Sequence, residues 1–385
     1  MARVKIEKNI SYDDKRDMYY VTLYYGTDSE GGIVKKTETF KKKKEAQNRL
    51  KEFEGAKLKE DIVLPRDETL GEWLDYWMEN VVKVNREKTT YAGYKFMIEK
   101  HIKPSLGNIK LQKVTPAALQ AYYTAKQMEK DGNGEAVLSS NTVKKHHTLL
   151  KTALKFAHIQ GAINSNPADK VSPPKYVKPE ISFYTVDNMK QLFELIDKEY
   201  MLKPAVYLAG ILGLRREEIA GLKWSNVDFD NRIIYIKEVR ARAENEIVVK
   251  KTKNEASTRR LAMNGTMEQK LKEILEAQKA SSEFLGNTYK GSGYVVVNEY
   301  GEEVNPGYLS TLFKRFIEVN DLPHITLHGL RHTIASIGNE AGLTMFEISK
   351  ILGHSSPDVT GRVYMHMFDD THIESMERIG EKLRE

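Results

Sequence analysis

The chain has 385 residues, no cysteine and a net charge of +6. Its length suggests two or three domains, and the lack of cysteine excludes a disulfide framework, a thiolate nucleophile and any cysteine-held zinc or iron-sulfur site. No run of 18 apolar residues occurs and MARVKIEKNI has no apolar core, so neither a membrane span nor a secretory leader is expected and the protein should be soluble and unexported. The basic residues gather in the first half: 15 Lys and Arg stand against 11 Asp and Glu over residues 1–60, and 17 against 11 over residues 65–175. Such a distribution suits a grip on a polyanion, though it also serves solubility.

Residues 1–62 are expected to form a small β-sheet plus helix module. MYYVTLYYG, from Met18 to Gly26, and IVKKTETF, from Ile33, are rich in β-branched and aromatic residues. KKKKEAQNRLKEFEGAKLKE then sets Ala46, Leu50 and Phe53 at helical spacing. Lys35, Lys36 and the run Lys41, Lys42, Lys43 and Lys44 are candidates to follow a phosphate backbone, although such runs are most often a solvated face.

From Pro65 the period becomes helical. Leu70 to Val82 places Trp73, Leu74, Trp77 and Val81 on one stripe behind a Thr69/Glu72 capping box. Thr89 to Ile102 reads as a second helix ending near Pro104, Pro116 opens a third, and Asn141 to His158 makes a fourth with a lysine-rich outer face. The adjacent His146 and His147 suggest a metal at first sight, but one core and one solvent position explain them better. Asn164 to Glu180 holds four prolines and no period, so it reads as a linker. It separates an all-α domain, residues 65–172, from a mixed α+β, mainly helical domain, residues 180–385.

In that last domain Thr185 to Lys198 is helical. Pro204 to Leu212 is a nearly all-apolar helix interrupted by Gly213, and RREEIAGLKW resumes helically. Ile233 to Val239 is a strand, and Glu246 to Met263 supplies further strands turning near Asn254. Helices follow over Met267 to Ser281 and Pro306 to Asn320. In TLHGLRHTIAS, Thr326 caps a helix whose His328 and Arg331, three apart, share a face near its N-terminus. That face presents an imidazole and a guanidinium to one anion. TMFEISKILGH has a Thr344/Glu347 capping box and a helix-ending Gly353, which holds His354 just past the helix end. Ser356 and Pro357 then start a helix that carries Tyr364. Each residue alone has an ordinary structural reading; their order together does not.

ILGLRREEIAGLKW, LHGLRHTIAS, ILGHSS and VTGRVYMH resemble the boxes of tyrosine recombinases, especially phage and conjugative-element integrases, over about residues 185–370. The resemblance implies that residues 1–62 are an arm-type DNA-binding module, 65–172 a core-site DNA-binding domain and 180–385 the catalytic domain with a C-terminal tail. It implies Arg215 as the first catalytic arginine with Glu218 supporting it, the His328/Arg331 pair, His354 as the second histidine and Tyr364 as nucleophile. The hairpin lysine is read as Lys251, with Lys253, on the same strand face, as the alternative. Gly361 departs from the helix formers common there.

The implied activity is site-specific cutting and rejoining of DNA through a 3′-phosphotyrosyl intermediate, which integrates or excises a mobile element or prophage. No cofactor is implied, neither metal nor ATP. The implied partners are double-stranded DNA at core and arm sites, three further copies in a homotetramer joined by exchange of tails, and an accessory bending or excision protein. The implied place is the nucleoid in the cytoplasm of a bacterial or phage-infected cell. Thr89, Tyr91, Lys95, Asn141, Lys144, Lys145 and Lys151 are nominated as DNA contacts of the helical domain.

The chemistry supports the same residues. A phosphodiester repels an incoming phenolate, and two arginines relieve this by forked hydrogen bonds to the non-bridging oxygens. Two rival readings remain: a non-catalytic DNA-binding regulator, on the helix-turn-helix look of EISKILGHSSPDVTGRVY, and a type IB topoisomerase. The first leaves Arg215, Lys251 and the HxxR box without a role. The N-terminal module and the GLRREE and LGHSS boxes favour an integrase over the second.

Overall fold

The computed structural model describes residues 3–27, 31–58, 63–177, 182–251, 259–353, 380–381 and 383–384. They fall into two compact units, Met1–Lys178 and Pro179–Glu385. Among the described residues no helix is long and apolar enough to cross a membrane.

The first unit holds two separate apolar cores. The N-terminal one lies between helix α1 (Lys43–Leu58) and an antiparallel sheet of β1 (Val4–Glu7), β2 (Ile10–Asp13), β3 (Met18–Thr27) and β4 (Ile33–Phe40), in that spatial order. The first two strands are additional to the pair expected. Val21 and Leu23 alternate onto the helix side, where Ala46 and Phe53 of α1 meet them. Register separates the two strand lysines. Lys36 pairs with Leu23 and Lys35 with Tyr24, so they point to opposite faces of the sheet and cannot both follow one backbone. Lys36 lies 3.7 Å from Glu38, which also binds Arg49 of α1 at 2.9 Å.

The second core is helical. Helix α2 (Leu70–Trp77) runs through a π-helical stretch, Met78–Val82, into a last turn, α3 (Lys83–Asn85). Both hydrogen bonds of the expected Thr69/Glu72 box form. Helix α4 (Lys88–Met97) does the same through Ile98–Ile102 into α5 (Lys103–Leu106). Pro104 therefore sits inside the final turn instead of ending the helix; the wider π turn before it takes up the missing N–H and the ring's bulk. Helices α6 (Pro116–Met128) and α7 (Ser140–Ile159) complete the bundle.

His146 and His147 are both buried, each beside a tyrosine, so neither is the solvent position expected. No cluster able to hold a metal occurs among the described residues. The first part of the expected linker also packs: Pro167 and Ala168 are buried and Asn166 binds the Lys151 carbonyl. Asn141 grips both backbone groups of Val177.

In the second unit helix α8 (Val186–Ile196) packs on α9 (Leu202–Leu212). Helix α9 is buried along almost its whole length and forms the axis of the core. It ends at Gly213, whose φ of 62° leads to helix α10 (Arg216–Gly221). The strand expected over Ile233 to Val239 is divided. Its first part, β6 (Ile233–Ile236), lies between β5 (Val227–Asp228) and β9 (Arg259–Ala262), while β7 (Glu238–Ala243) pairs, among the described residues, with β8 (Glu246–Lys251) alone. The close approach of β7 to α10 accounts for the break. A Cβ on Gly221 would lie 2.7 Å from the Glu238 carbonyl oxygen. Helices α11 (Gly265–Leu285), α12 (Pro306–Val319), α13 (Leu327–Glu340) and α14 (Met345–Leu352) follow, with α13 packed against both α9 and α14.

Candidate phosphodiester site

The fold brings the turn between α9 and α10 against the start of α13 and the end of α14. Arg215 is the N-cap of α10, and Glu218 turns back on it. The Glu218 carboxylate accepts from the Arg215 backbone N–H at 2.8 Å and from Arg215 Nη1 at 2.9 Å. Glu218 alone supplies the side-chain bonds of this helix start, and it fixes the guanidinium while leaving the Arg215 side chain 38 % exposed. Arg215 Nη2 reaches on to the Gly353 carbonyl at 3.2 Å.

Arg331 enters from α13. Only 1 % of it is exposed, and its two terminal nitrogens donate to the carbonyls of Gly213 and Leu352. Both acceptors are helix-end carbonyls with spare hydrogen-bonding capacity. The αL residues that create these ends, Gly213 and Gly353 (φ 63°), must be glycine or accept strain. Thus the two arginines expected to act together are anchored to consecutive carbonyls at the end of α14.

His328 stands exposed on the first turn of α13 behind the Thr326 cap, which accepts from the Gly329 N–H at 2.9 Å. Its pKa lies below the ordinary value, first through desolvation in the pocket mouth and then through Arg331 and Arg215, with Glu217 opposing. The His332 ring meets it edge-on at 4.8 Å. Its pKa is pushed down to about 4, by desolvation first and then by His328 and Arg331. Two neutral imidazoles therefore offer hydrogen bonds beside the guanidinium groups without competing for the anion's charge. A cleft of about 720 Å³ opens beside His328, lined by Arg216, Ser310, Lys314, His324 and Thr326.

Lys251 ends β8, in register with Glu238 of β7. Lys253, His354, Gly361 and Tyr364, and the tail from Asp369 apart from residues 380–381 and 383–384, lie outside the described residues. Of the nominated contacts in the helical domain, Lys95, Lys145 and Lys151 are exposed, with Lys151 also paired to Asp169 at 2.8 Å. Tyr91 donates to Glu79 at 2.5 Å, and Lys144 lies 5.6 Å from the Tyr176 ring. Lys43 is paired with Glu7 at 2.9 Å, while Lys41, Lys42 and Lys44 are exposed.

The sequence reading missed Arg259. Its Nη2 donates to Glu218 at 2.8 Å and its Nη1 to the Leu352 carbonyl at 2.7 Å. The signal was available in the strand period: Arg259 alternates with Leu261 and Met263, both buried. An arginine in register with an apolar face needs an inward carboxylate.

Three family descriptions match the chain: the phage integrase family over residues 182–371, an N-terminal SAM-like domain of phage integrases over 69–127, and an arm DNA-binding domain over 9–57. A tyrosine recombinase XerC-like protein of Caldanaerobacter subterraneus subsp. tengcongensis is 28 % identical over 95 % of this chain and 96 % of its own length. The ICEBs1 integrase of Bacillus subtilis is 24 % identical over 78 % of this chain and 80 % of its own. Among solved structures, the Tn1549 transposon integrase in complex with a circular intermediate DNA shares the fold with a TM-score of 0.67 at 20 % identity, covering 81 % of this chain and 99 % of that one. A lambda integrase tetramer bound to a Holliday junction gives a TM-score of 0.57 at 19 % identity, covering 92 % and 97 %.

Proposed function

Since this chain belongs to the phage integrase family of tyrosine recombinases, we propose that it is a site-specific DNA recombinase working through Tyr364 and the pocket around Arg215 and Arg331. The observation that carries the assignment is the anchoring of these two arginines, far apart in sequence, to adjacent carbonyls at Leu352 and Gly353. The pocket receives the scissile phosphodiester. Arg215 and Arg331 address its non-bridging oxygens, and His328 and His354 add hydrogen bonds that strengthen as charge builds on those oxygens.

The Tyr364 phenol oxygen attacks phosphorus and the bond to the 5′ oxygen breaks. A free tyrosine has a pKa of about 10, so the cationic surroundings or a base must assist loss of its proton. The departing 5′ oxygen takes a proton from the hairpin lysine, Lys251 or alternatively Lys253. The 3′-phosphotyrosyl ester conserves the energy of the broken bond, so attack by the 5′ hydroxyl of a partner strand reseals DNA without ATP.

In this reading residues 1–62 bind arm sites, 65–172 bind the core site and 180–385 carry out cleavage. Lys41, Lys42 and Lys44 at the start of α1, and Lys95, Lys145 and Lys151 on the helical domain, hold DNA backbone. The cleft beside His328 takes the backbone next to the cut. The active assembly is a tetramer at a four-way junction, with each tail from Asp369 to Glu385 docking on a neighbour. An accessory bending or excision protein sets the direction of the reaction, and the protein works at the nucleoid.

The test is a nicked suicide duplex carrying the core site taken from repeats flanking the gene. A covalent adduct on a denaturing gel is expected from the wild type and not from Tyr364→Phe. An adduct of equal yield from that variant would refute the assignment.

A further inference from the structure

We propose that Arg259 is a positioning residue of the cleavage site, the buried fork that ties Glu218, and through it Arg215, to the carbonyl that orients Arg331. The inference rests on the recombinase reading of Arg215 and Arg331 and adds a residue to it. Arg259 opens β9, opposite Ile236 of β6. Its side chain is 14 % exposed and points inward.

Each terminal nitrogen meets an acceptor that an active-site arginine also uses. Nη2 shares the Glu218 Oε2 atom with the Arg215 backbone N–H, while Arg215 Nη1 takes the other oxygen, Oε1. Nη1 shares the Leu352 carbonyl with Arg331. Arg259 is therefore a contact common to both halves of the anion pocket. Its Nε is buried without a hydrogen-bond partner among the described residues, so the group is held for its two other contacts at some cost.

The fit extends to Gly353. A Cβ there would fall 2.1 Å from Arg259 Nη1 and 2.6 Å from its Cδ. The guanidinium lies against the αL bend at Gly353 that ends α14. Moving Arg259 would thus disturb Arg215 through Glu218 and Arg331 through Leu352. None of this requires Arg259 to touch DNA. Its pKa is lowered, first by desolvation and then by Arg215, against the support of Glu218; the site keeps a third guanidinium close to two others because its geometry needs the fork.

The experiment measures single-turnover adduct formation by the full chain on the nicked duplex. A second duplex carries an uncharged methylphosphonate at the scissile position. Arg259→Gln should slow adduct formation about 100-fold on the phosphodiester, the effect of misplacing a group by roughly 1 Å, and change DNA affinity less than about threefold. On the methylphosphonate, where no charge needs neutralising, the slowing should shrink at least about tenfold.

Equal slowing on both duplexes would mean a merely structural residue and overturn the proposal. A wild-type rate on the phosphodiester would overturn it too. Should Arg259→Gln not fold, Arg259→Lys keeps the charge without the planar fork and is expected to cleave the phosphodiester about tenfold more slowly; a wild-type rate from it overturns the proposal. Absence of any adduct from the wild type, or an adduct from Tyr364→Phe, would instead refute the recombinase reading itself, so the two failures are distinguishable.

Discussion

Glu218→Gln isolates the carboxylate that holds the pocket's arginines. Glu218 has 8 % of its side chain exposed and accepts from the Arg215 backbone and Nη1 and from Arg259 Nη2, all within 2.9 Å. Glutamine keeps the volume but turns one acceptor into an NH₂ group, which must oppose a guanidinium. Two losses follow, of different size. Arg215 is 38 % exposed and can turn to water, so its share is at most about 1 kcal/mol. Arg259 is 14 % exposed and would be left with its charge uncompensated, which costs about 3–5 kcal/mol.

The second term dominates, and a loss of about 3 kcal/mol in a unit of this size lowers Tm by roughly 6–12 °C. Calorimetry of the full chain should show the transition of Pro179–Glu385 falling by that amount while that of Met1–Lys178 stays. The double variant Glu218→Gln/Arg259→Met should regain most of the loss, because an apolar side chain removes the stranded charge. A shift under about 2 °C for the single variant, or no recovery in the double, would show that the pair does not hold the unit together.

Gly353→Ala adds αL strain of about 1–2 kcal/mol to the collision with Arg259. It should lower the Tm of the catalytic unit more than Gly342→Ala, where φ is also positive (79°) but nothing lies within 4 Å; equal shifts would argue against the packing of Arg259 in that bend. In the helical unit His146 is fully buried with its Nδ1 3.0 Å from the Tyr122 hydroxyl. Its pKa is pushed down to about 4, chiefly by desolvation and then by His101 and Lys126. The unfolded chain, with an ordinary histidine pKa of about 6.5, binds the proton more readily, so this stability is intact above pH 6.5 and drains away as pH falls towards 4. Denaturation between pH 6.5 and 5 should reveal a loss of about 2 kcal/mol that His146→Gln flattens; an unchanged slope in the variant would place the acid sensitivity elsewhere.

What could be read from the sequence was what period and capping encode. The stripe of Trp73, Leu74 and Trp77, the Thr69/Glu72 and Thr344/Glu347 boxes and the stops at Gly213 and Gly353 form as expected, because each is decided within one or two helical turns. The misses are non-local. Pro104 is tolerated because a π turn precedes it, a register choice that apolar spacing does not reveal. The break between β6 and β7 follows from the contact with Gly221, far back in the chain. His146 is buried beside Tyr122, since α6 covers a side of α7 outside the apolar stripe of Val143, His147, Leu150 and Leu154. At the candidate site, Arg215, Glu218, His328 and Arg331 could be named from local motifs, whereas Arg259 gains its meaning from Glu218 and Leu352, which belong to other elements.

The acceptors around these arginines carry a further consequence. A pocket for a phosphodiester must fix its guanidinium groups without cancelling their charge. Carboxylates fix and neutralise; carbonyls only fix. Arg331 is oriented by the carbonyls of Gly213 and Leu352, and Arg215 reaches the carbonyl of Gly353. Each of these carbonyls lies at a helix end, where the negative end of the helix dipole steadies a cation. The carboxylate of Glu218 is shared between Arg215 and Arg259, so it sets the position of both while balancing one charge. The two αL glycines serve the same division of labour: they terminate α9 and α14 where the free carbonyls must face the arginines. Moving either helix end by a residue would rotate its carbonyl by about 100° and leave a buried guanidinium facing apolar side chains.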